Sequence, residues 1–258
     1  MKNQLIVGII PARMESSRFP GKPMAKICGI PMIGHVYFRS KMSKCLSQVC
    51  VATCNEEIKD YIESTGGMAI MTSPKHERAS DRSAEALVRM EKLMGRKADI
   101  AVMIQGDEPM LVPSMIDKAV APLRKFPDIL VSNLMSTMGT QQEHEDPNEV
   151  KVVVDRSNFA LYFSREPVPS RKKGGRNIPM YKQVCVIPFR RDFLLKFNKL
   201  KPTPLEIIES VDMLRVLEHG YRVKMVPVDF ETYSVDTPED LKIVDRAMKN
   251  DGLMLRYQ

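Results

Sequence analysis

With 258 residues, 43% of them hydrophobic and 28% charged, the chain has the composition of a globular protein large enough to bury a sizeable core. No apolar run approaches the roughly 18–20 residues that span a bilayer, and the N-terminus carries no small-residue cleavage site, so neither a membrane segment nor a signal peptide is expected. The net charge is +7, but the cations are spread along the chain and no tryptophan or aromatic–basic interleaving accompanies them, which disfavours nucleic acid and leaves anionic small molecules as partners.

In chain order, the apolar run Leu5–Ile10 reads as a buried strand. Met32–Lys41 reads as a helix after the turn Gly29-Ile30-Pro31, Gln48–Thr53 as a strand, and Glu56–Ser64 as a short helix stopped by Gly66-Gly67. Ala69–Thr72 is a brief strand. Asp81–Met94 is an amphipathic helix with Ala84, Leu87, Val88 and Met94 near one face. Ile100–Ile104 is a strand, Ser114–Leu123 a helix and Ile129–Met135 a strand. This alternation predicts an α/β fold, a mostly parallel twisted sheet flanked by helices. The second half changes character. Val150–Asp155 and Phe159–Ser164 read as strands joined by Arg156-Ser157-Asn158, and Lys182–Pro188 as another. Pro167–Pro179, containing Arg171-Lys172-Lys173-Gly174-Gly175-Arg176, reads as a loop. Arg191–Lys199, Pro204–His219 and Pro238–Lys249 read as helices, with the strand Val223–Val228 before the last. A single domain is expected over residues 1–250, with a small β extension within 136–190 and a tail at 251–258.

The five cysteines, Cys28, Cys45, Cys50, Cys54 and Cys185, form no Cys-x-x-Cys pair and complete no zinc site, which points to reduced thiols and a cytoplasmic protein. Most of the 19 methionines, including Met110, Met135 and Met138, are read as packing.

Three segments carry chemistry. After the first strand, Pro11-Ala12-Arg13-Met14-Glu15-Ser16-Ser17-Arg18-Phe19-Pro20-Gly21-Lys22-Pro23 places Arg13, Arg18 and Lys22 in one loop shaped by glycine and proline. Forked guanidinium groups and a compact ammonium suit a polyphosphate. A solvated basic turn would account for the charge alone, and neither a P-loop nor a Gly-x-Gly-x-x-Gly fingerprint is present. Gln105-Gly106-Asp107-Glu108-Pro109 follows a strand directly. Ser234-Val235-Asp236-Thr237-Pro238-Glu239-Asp240 follows another after a short connection. Ligands of open α/β sheets lie beyond the strands' carboxyl ends, and two carboxylates there can converge on Mg²⁺. Asp107 also reads as a turn residue. Asp236 immediately precedes a helix start, with Thr237 as cap and Pro238 in the first turn.

These motifs, together with Pro31-Met32-Ile33, Val51-Ala52-Thr53, Ala160-Leu161-Tyr162-Phe163-Ser164-Arg165 and Leu214-Arg215-Val216-Leu217, resemble the 3-deoxy-manno-octulosonate cytidylyltransferases (CMP-KDO synthetases), in register from about residue 5 to 247. The resemblance implies a Rossmann-like nucleotidyltransferase fold with a small β extension for dimerisation, and a homodimer. The implied activity is Mg²⁺-dependent transfer of CMP from CTP to a 2-keto-3-deoxy sugar acid, releasing pyrophosphate, on the way to lipopolysaccharide. Carried over position by position, Arg13 and Lys22 match triphosphate-binding cations, Asp107 and Asp236 match metal ligands, and these four form the implied catalytic set. Pro11, Ala12, Arg18, Ser80, Arg82 and Gln105 fall on the nucleotide side. Arg165, Gln183, Ile187, Glu206, Glu209 and Met213 fall on the sugar-acid side.

Departures from the family cluster. Its His-x-Ser-Gly-Thr-Glu/Asp-Arg stands here as His76-Glu77-Arg78-Ala79-Ser80-Asp81-Arg82, which loses a glycine and adds a cation. Its His-Leu-Gly-Ile-Tyr-x-Tyr strand stands as Gln183-Val184-Cys185-Val186-Ile187-Pro188-Phe189, and a glutamine has become Met213. The last changes remove or alter polar groups on the sugar side, where one matched hydrogen bond can set preference. The expected acceptor is therefore KDO or a KDO-like acid. The competing readings are another small acid such as a phosphonate, neutral drift in an ordinary CMP-KDO synthetase, and an inactive nucleotide-binding homologue.

Overall fold

The computed structural model describes residues 4–15, 19–170, 179–230 and 233–257. Ser16, Ser17 and Arg18, and the basic run Arg171 to Arg176, lie outside them. The chain divides into two compact units, Met1–Asp117 with Thr232–Gln258, and Lys118–Glu231.

The chain opens with β1 (Ile6–Pro11), the small hairpin β2 (Lys26–Ile27) and β3 (Ile30–Pro31), α1 (Met32–Lys41), β4 (Gln48–Thr53), α2 (Glu56–Ser64), β5 (Ala69–Met71), α3 (Ala79–Met94), β6 (Ile100–Ile104) and α4 (Pro113–Lys125), inside which the division falls. In the first unit the strand order β6-β1-β4-β5 is parallel throughout, with Ile9 of β1 opposite Cys50 on one side and Met103 on the other. Helices α1, α2 and α3 pack on these strands. A parallel sheet covered in this way has no wet face, which is why β1, β4 and β6 read as unbroken apolar runs instead of alternating ones. Helix α3 stops where Gly95 adopts the left-handed conformation (φ 65°), the usual role of glycine past a helix end.

The second unit carries β7 (Ser132–Thr137), α5 (Gln141–Glu145), β8 (Lys151–Val154), β9 (Ala160–Ser164), β10 (Tyr181–Val184), β11 (Val186–Arg190), α6 (Arg191–Phe197), α7 (Pro204–Glu209), α8 (Asp212–Glu218) and β12 (Lys224–Val228). Its sheet, in the order β12-β7-β10-β8-β9, is parallel only between β12 and β7. The expectation of a mostly parallel sheet therefore describes the first unit, whereas the strand expected at Ile129–Met135 joins a mainly antiparallel sheet as β7. The turn between β8 and β9 is set by Asp155, whose carboxylate accepts from the backbone of Ser157 and Phe159, both at 2.8 Å. The chain then returns to the first unit with α9 (Pro238–Met248) and a 3-10 turn over Met254–Arg256. Met135 and Met138 are buried.

Two predicted elements divide. The strand expected over Lys182–Pro188 is interrupted at Cys185. The helix expected over Pro204–His219 breaks at Ser210, which is left-handed (φ 53°), and Val211 is extended (φ −129°, ψ 108°). The break folds α8 back on α7, so that the Glu218 carboxylate at the end of α8 accepts from the Leu205 and Glu206 amides at the start of α7. Those amides have no partner inside their own helix. The fold-back also pairs Glu206, fully buried, with Arg215, 3% exposed, through two hydrogen bonds of 2.7 and 2.5 Å. Removing one partner of such a pair strands a buried charge, so Arg215→Ala should cost about 3–5 kcal/mol. Urea unfolding checks this, and a midpoint unchanged from wild type would refute it.

Candidate functional site

The first unit has a cleft of about 320 Å³ at the carboxyl ends of its parallel strands. The loop after β1 contributes Pro11, Ala12, Arg13, Glu15, Lys22 and Pro23, the loop after β6 contributes Gln105, Gly106 and Asp107, and the segment before α3 contributes His76 to Ala79. Arg82 also lines it, as does Met32. Of the expected nucleotide-side residues, Pro11, Ala12, Arg13, Lys22, Arg82 and Gln105 thus face one space. Ser80 is fully buried in the first turn of α3 and does not line the cleft. Arg18 is outside the described residues.

Local geometry explains how Lys22 arrives there. Gly21 takes φ +73°, a conformation that costs glycine little, and its amide is bonded to Met14 O at 3.0 Å. Lys22 then opens a 3-10 turn over Lys22–Met24, with Pro23 inside it. The Lys22 ammonium lies 3.0 Å from Asp107 Oδ2, 3.3 Å from Asp236 Oδ1 and 2.8 Å from the Val235 carbonyl oxygen. The three side chains are only 13–25% exposed, so these charges interact through a medium less screening than water. Asp236 is fixed from its other side by the cap of α9, where Thr237 and Asp240 form a capping box and the Asp236 amide donates to Asp240 at 3.0 Å. The Val235 amide donates to Asp107 O at 2.9 Å, which ties the two acidic segments together.

One ammonium between two carboxylates leaves a net negative charge. Among the described residues Asp107 Oδ1 is buried without a hydrogen-bond partner, an arrangement that costs stability unless another group binds there. No cluster of three His, Cys, Asp or Glu side chains capable of holding a metal occurs among the described residues. Two carboxylates with one orphaned oxygen fit a hard divalent cation that completes its shell with phosphates and water, and do not fit a cage built wholly from protein.

The opposite wall is held by a second network. Arg82 points inward, 3% exposed, and donates to Thr72 Oγ1 at 2.6 Å. Thr72 donates through its amide and hydroxyl to Thr53 O. Asn55, just beyond β4, accepts from the Met14 amide at 3.0 Å. Arg82 therefore buttresses the cleft instead of reaching freely into it. His76 had no expected role, yet it lines the cleft. Its Nε2 is 2.5 Å from Glu85 Oε2, an oxygen that also accepts from the Ser73 amide at 2.9 Å, while Arg89 meets Glu85 Oε1 at 2.5 Å. Its position before a helix that follows a parallel strand was the available signal.

The expected sugar-acid residues all lie in the second unit. Arg165 donates to Glu209 O at 2.7 Å and to Pro147 O at 2.8 Å. The Glu209 carboxylate accepts from Tyr162, Ser164 and the Arg165 amide. Glu206 is consumed by Arg215. Met213 (0% exposed) and Ile187 (3%) are packed, and Gln183 is half-buried.

A family model described as cytidylyltransferase matches residues 7–226. The chain is 43% identical over 255 residues to the 3-deoxy-manno-octulosonate cytidylyltransferase of Geobacter metallireducens, covering 95% of this chain and 98% of that protein. It is 40% identical over 250 residues to the mitochondrial protein of that name from Arabidopsis thaliana, covering 96% and 84%. A solved CMP:2-keto-3-deoxy-manno-octonic acid synthetase complexed with CTP superposes with a TM-score of 0.87 at 35% identity, over 95% of this chain and 99% of that one. A 4-diphosphocytidyl-2C-methyl-D-erythritol synthase from Anaerococcus prevotii, 14% identical with a TM-score of 0.63, shares the fold. The class is that of the nucleotidyltransferase enzymes, and the mixed α/β fold with flanking helices is theirs. The chain belongs to the 3-deoxy-manno-octulosonate cytidylyltransferase family.

Burial pushes the Glu85 carboxyl up, but the hydrogen bonds from Ser73, His76 and Arg89 outweigh it and hold the group below the ordinary glutamate range. A carboxyl whose folded pKa is depressed contributes stability that is present above its unfolded pKa and is lost as pH falls through the folded value. Glu85→Gln should therefore be less stable than wild type at neutral pH and lose less on acidification below pH ~4.3. Thermal melts across pH check this, and parallel curves would contradict it.

Proposed function

We propose that this enzyme transfers CMP from CTP to the anomeric hydroxyl of KDO or a KDO-like 2-keto-3-deoxy sugar acid, in a Mg²⁺-dependent reaction that releases pyrophosphate. The observation that carries the reading is the meeting of Lys22 with Asp107 and Asp236 at the strand ends, in a cleft also lined by Arg13. The relatives bear the same activity in their names, and the solved relative is complexed with CTP.

In this reading Ala12, Arg82 and Gln105 shape the nucleotide side, directly or through the Thr72 network. Arg13 and Lys22 meet the triphosphate, their charges offsetting those that develop on the leaving pyrophosphate. Asp107 and Asp236 would hold the metal, which would neutralise phosphate charge and acidify a nearby hydroxyl. Lys22 keeps the two carboxylates together beforehand. No covalent nucleophile is needed, since phosphoryl transfer is governed by positioning and charge. In the second unit, Glu206 and Glu209 act by fixing α7, α8 and Arg165, and Arg165 is the charged group left at the acid's side. A homodimer extends the reading. It is supported by the exposure of Leu161, Ile207 and Ile208 on β9 and α7, at 61%, 62% and 75%.

A second reading keeps the chemistry and changes the acceptor. It is favoured by the buried apolar Met213 and Ile187, which stand where the family carries polar side chains. Pyrophosphate release from CTP and Mg²⁺, measured with KDO beside 8-amino KDO, sialic acids and small phosphonates, decides between them. Turnover with KDO supports the first, and turnover only with another acid supports the second. CTP binding without turnover on any acceptor would overturn both. With the accepted acid, Asp107→Asn and Asp236→Asn should each lose at least about 100-fold in kcat while keeping CTP affinity within a few-fold. Near-normal turnover in either variant would remove that residue from the metal-binding role.

A further inference from the structure

The last residues of the chain, expected to be a tail, are built into the first unit. Tyr257 stacks on Phe38 of α1 with ring centroids 5.4 Å apart. Its hydroxyl lies 2.9 Å from His35 Nδ1 and accepts from Arg39 Nε at 3.0 Å. Arg39, 1% exposed, is ion-paired with Asp251. Met254 is buried in one apolar cluster with Ile27, Met32, Val235, Val244 and Met248. A buried arginine with hydrogen bonds and a paired carboxylate is costly to assemble and costly to break, so this segment is firmly tied to α1.

The tethers reach each of the three segments that carry the charges in the cleft. Toward Lys22, His35 Nε2 bonds the carbonyl of Ile27, three residues past the 3-10 turn, at 2.8 Å. Toward Asp107, Arg39 donates to the carbonyl of Leu111 at 3.3 Å, and Leu111 N is bonded back to Glu108 O at 3.1 Å. Toward Asp236, Met254 and Val235 share one cluster, and the Val235 carbonyl is itself a partner of the Lys22 ammonium. Lys22, Asp107 and Asp236 are far apart in sequence, and α1 with residues 251–257 is where their supports converge.

We propose that Asp251, Met254 and Tyr257, acting through Arg39 and His35, are positioning residues that hold Lys22, Asp107 and Asp236 in register for catalysis. This rests on the reading of those three residues as the reaction's charged groups. A carboxylate displaced by a fraction of an ångström still attracts a nucleotide, but it no longer neutralises charge where the transition state develops it. The signature is therefore a loss of kcat without an equal loss of CTP affinity.

The test uses the full-length protein, well below its melting temperature, with Asp251→Asn, Asp251→Glu and Tyr257→Phe. CTP binding by calorimetry counts competent sites, and kcat is expressed per site with CTP, Mg²⁺ and the accepted acid. Asp251→Asn and Tyr257→Phe should lose about tenfold in kcat per site, with CTP affinity within about threefold, and Asp251→Glu should recover most of the loss by restoring the pair with Arg39. Wild-type kcat per site in both Asp251→Asn and Tyr257→Phe, with only a lower melting temperature, would reduce the segment to an anchor and overturn the proposal. If Asp251→Asn does not fold, Tyr257→Phe decides alone, because it keeps the stacked ring. Lys22→Met and Asp107→Asn run beside them. If these also keep full turnover, the reading of the cleft falls together with the proposal; if they collapse while the C-terminal variants do not, the proposal alone falls.

Discussion

The ion cluster of Lys22, Asp107 and Asp236 is the constraint on which the rest of the cleft depends. Two carboxylates at the ends of separate segments repel each other, and the Val235–Asp107 backbone bond that ties the segments together does not neutralise that repulsion. The ammonium does so at 3.0 and 3.3 Å. It also leaves one Asp107 oxygen without a partner among the described residues, so the cluster is cohesive yet unsatisfied. Such a state is costly in a folded protein and is retained where binding repays it.

The surrounding fold can be understood as support for that cluster. Parallel strands deliver three of the loops to one edge, as open α/β sheets do. The capping box of α9 fixes Asp236 at the moment the chain turns into a helix. Arg82, Thr72, Thr53 and Asn55 hold the other wall by hydrogen bonds from one strand end to the next. The second unit follows the same logic with different parts. Glu206, Arg215 and Glu218 lock two short helices, and Glu209 braces the backbone and side chain of Arg165.

Much of this was legible in the sequence, for physical reasons. Buried parallel strands announce themselves as apolar runs, and helices ended by glycine or begun by Thr-Pro have local signals, so β4, α1, α2 and β6 fall where the periodicity puts them. The clustering of Arg13, Lys22, Gln105 and Asp107 followed from the rule that ligands lie beyond strand ends. What stayed hidden is non-local. Ser210 takes a positive φ that no serine advertises, and the fold-back of α8 depends on Glu218 finding amides 12 and 13 residues upstream. The antiparallel pairing of β7 with β10 is a matter of partners, which a single strand's pattern does not encode. The docking of Tyr257 needs α1 and the chain's end in one place, more than 200 residues apart, and the terminal segment's own composition gives no hint of it.

On the proposed reading, Asp107 and Asp236 would hold the metal and Lys22 would give them up to it when nucleotide binds. A crystal structure of the enzyme with CTP and Mg²⁺ tests this most directly. The prediction is an ion ligated by both Asp107 and Asp236, with the Lys22 ammonium moved onto a phosphate oxygen. An ammonium still seated between the two carboxylates, with CTP bound and the metal held elsewhere, would contradict it.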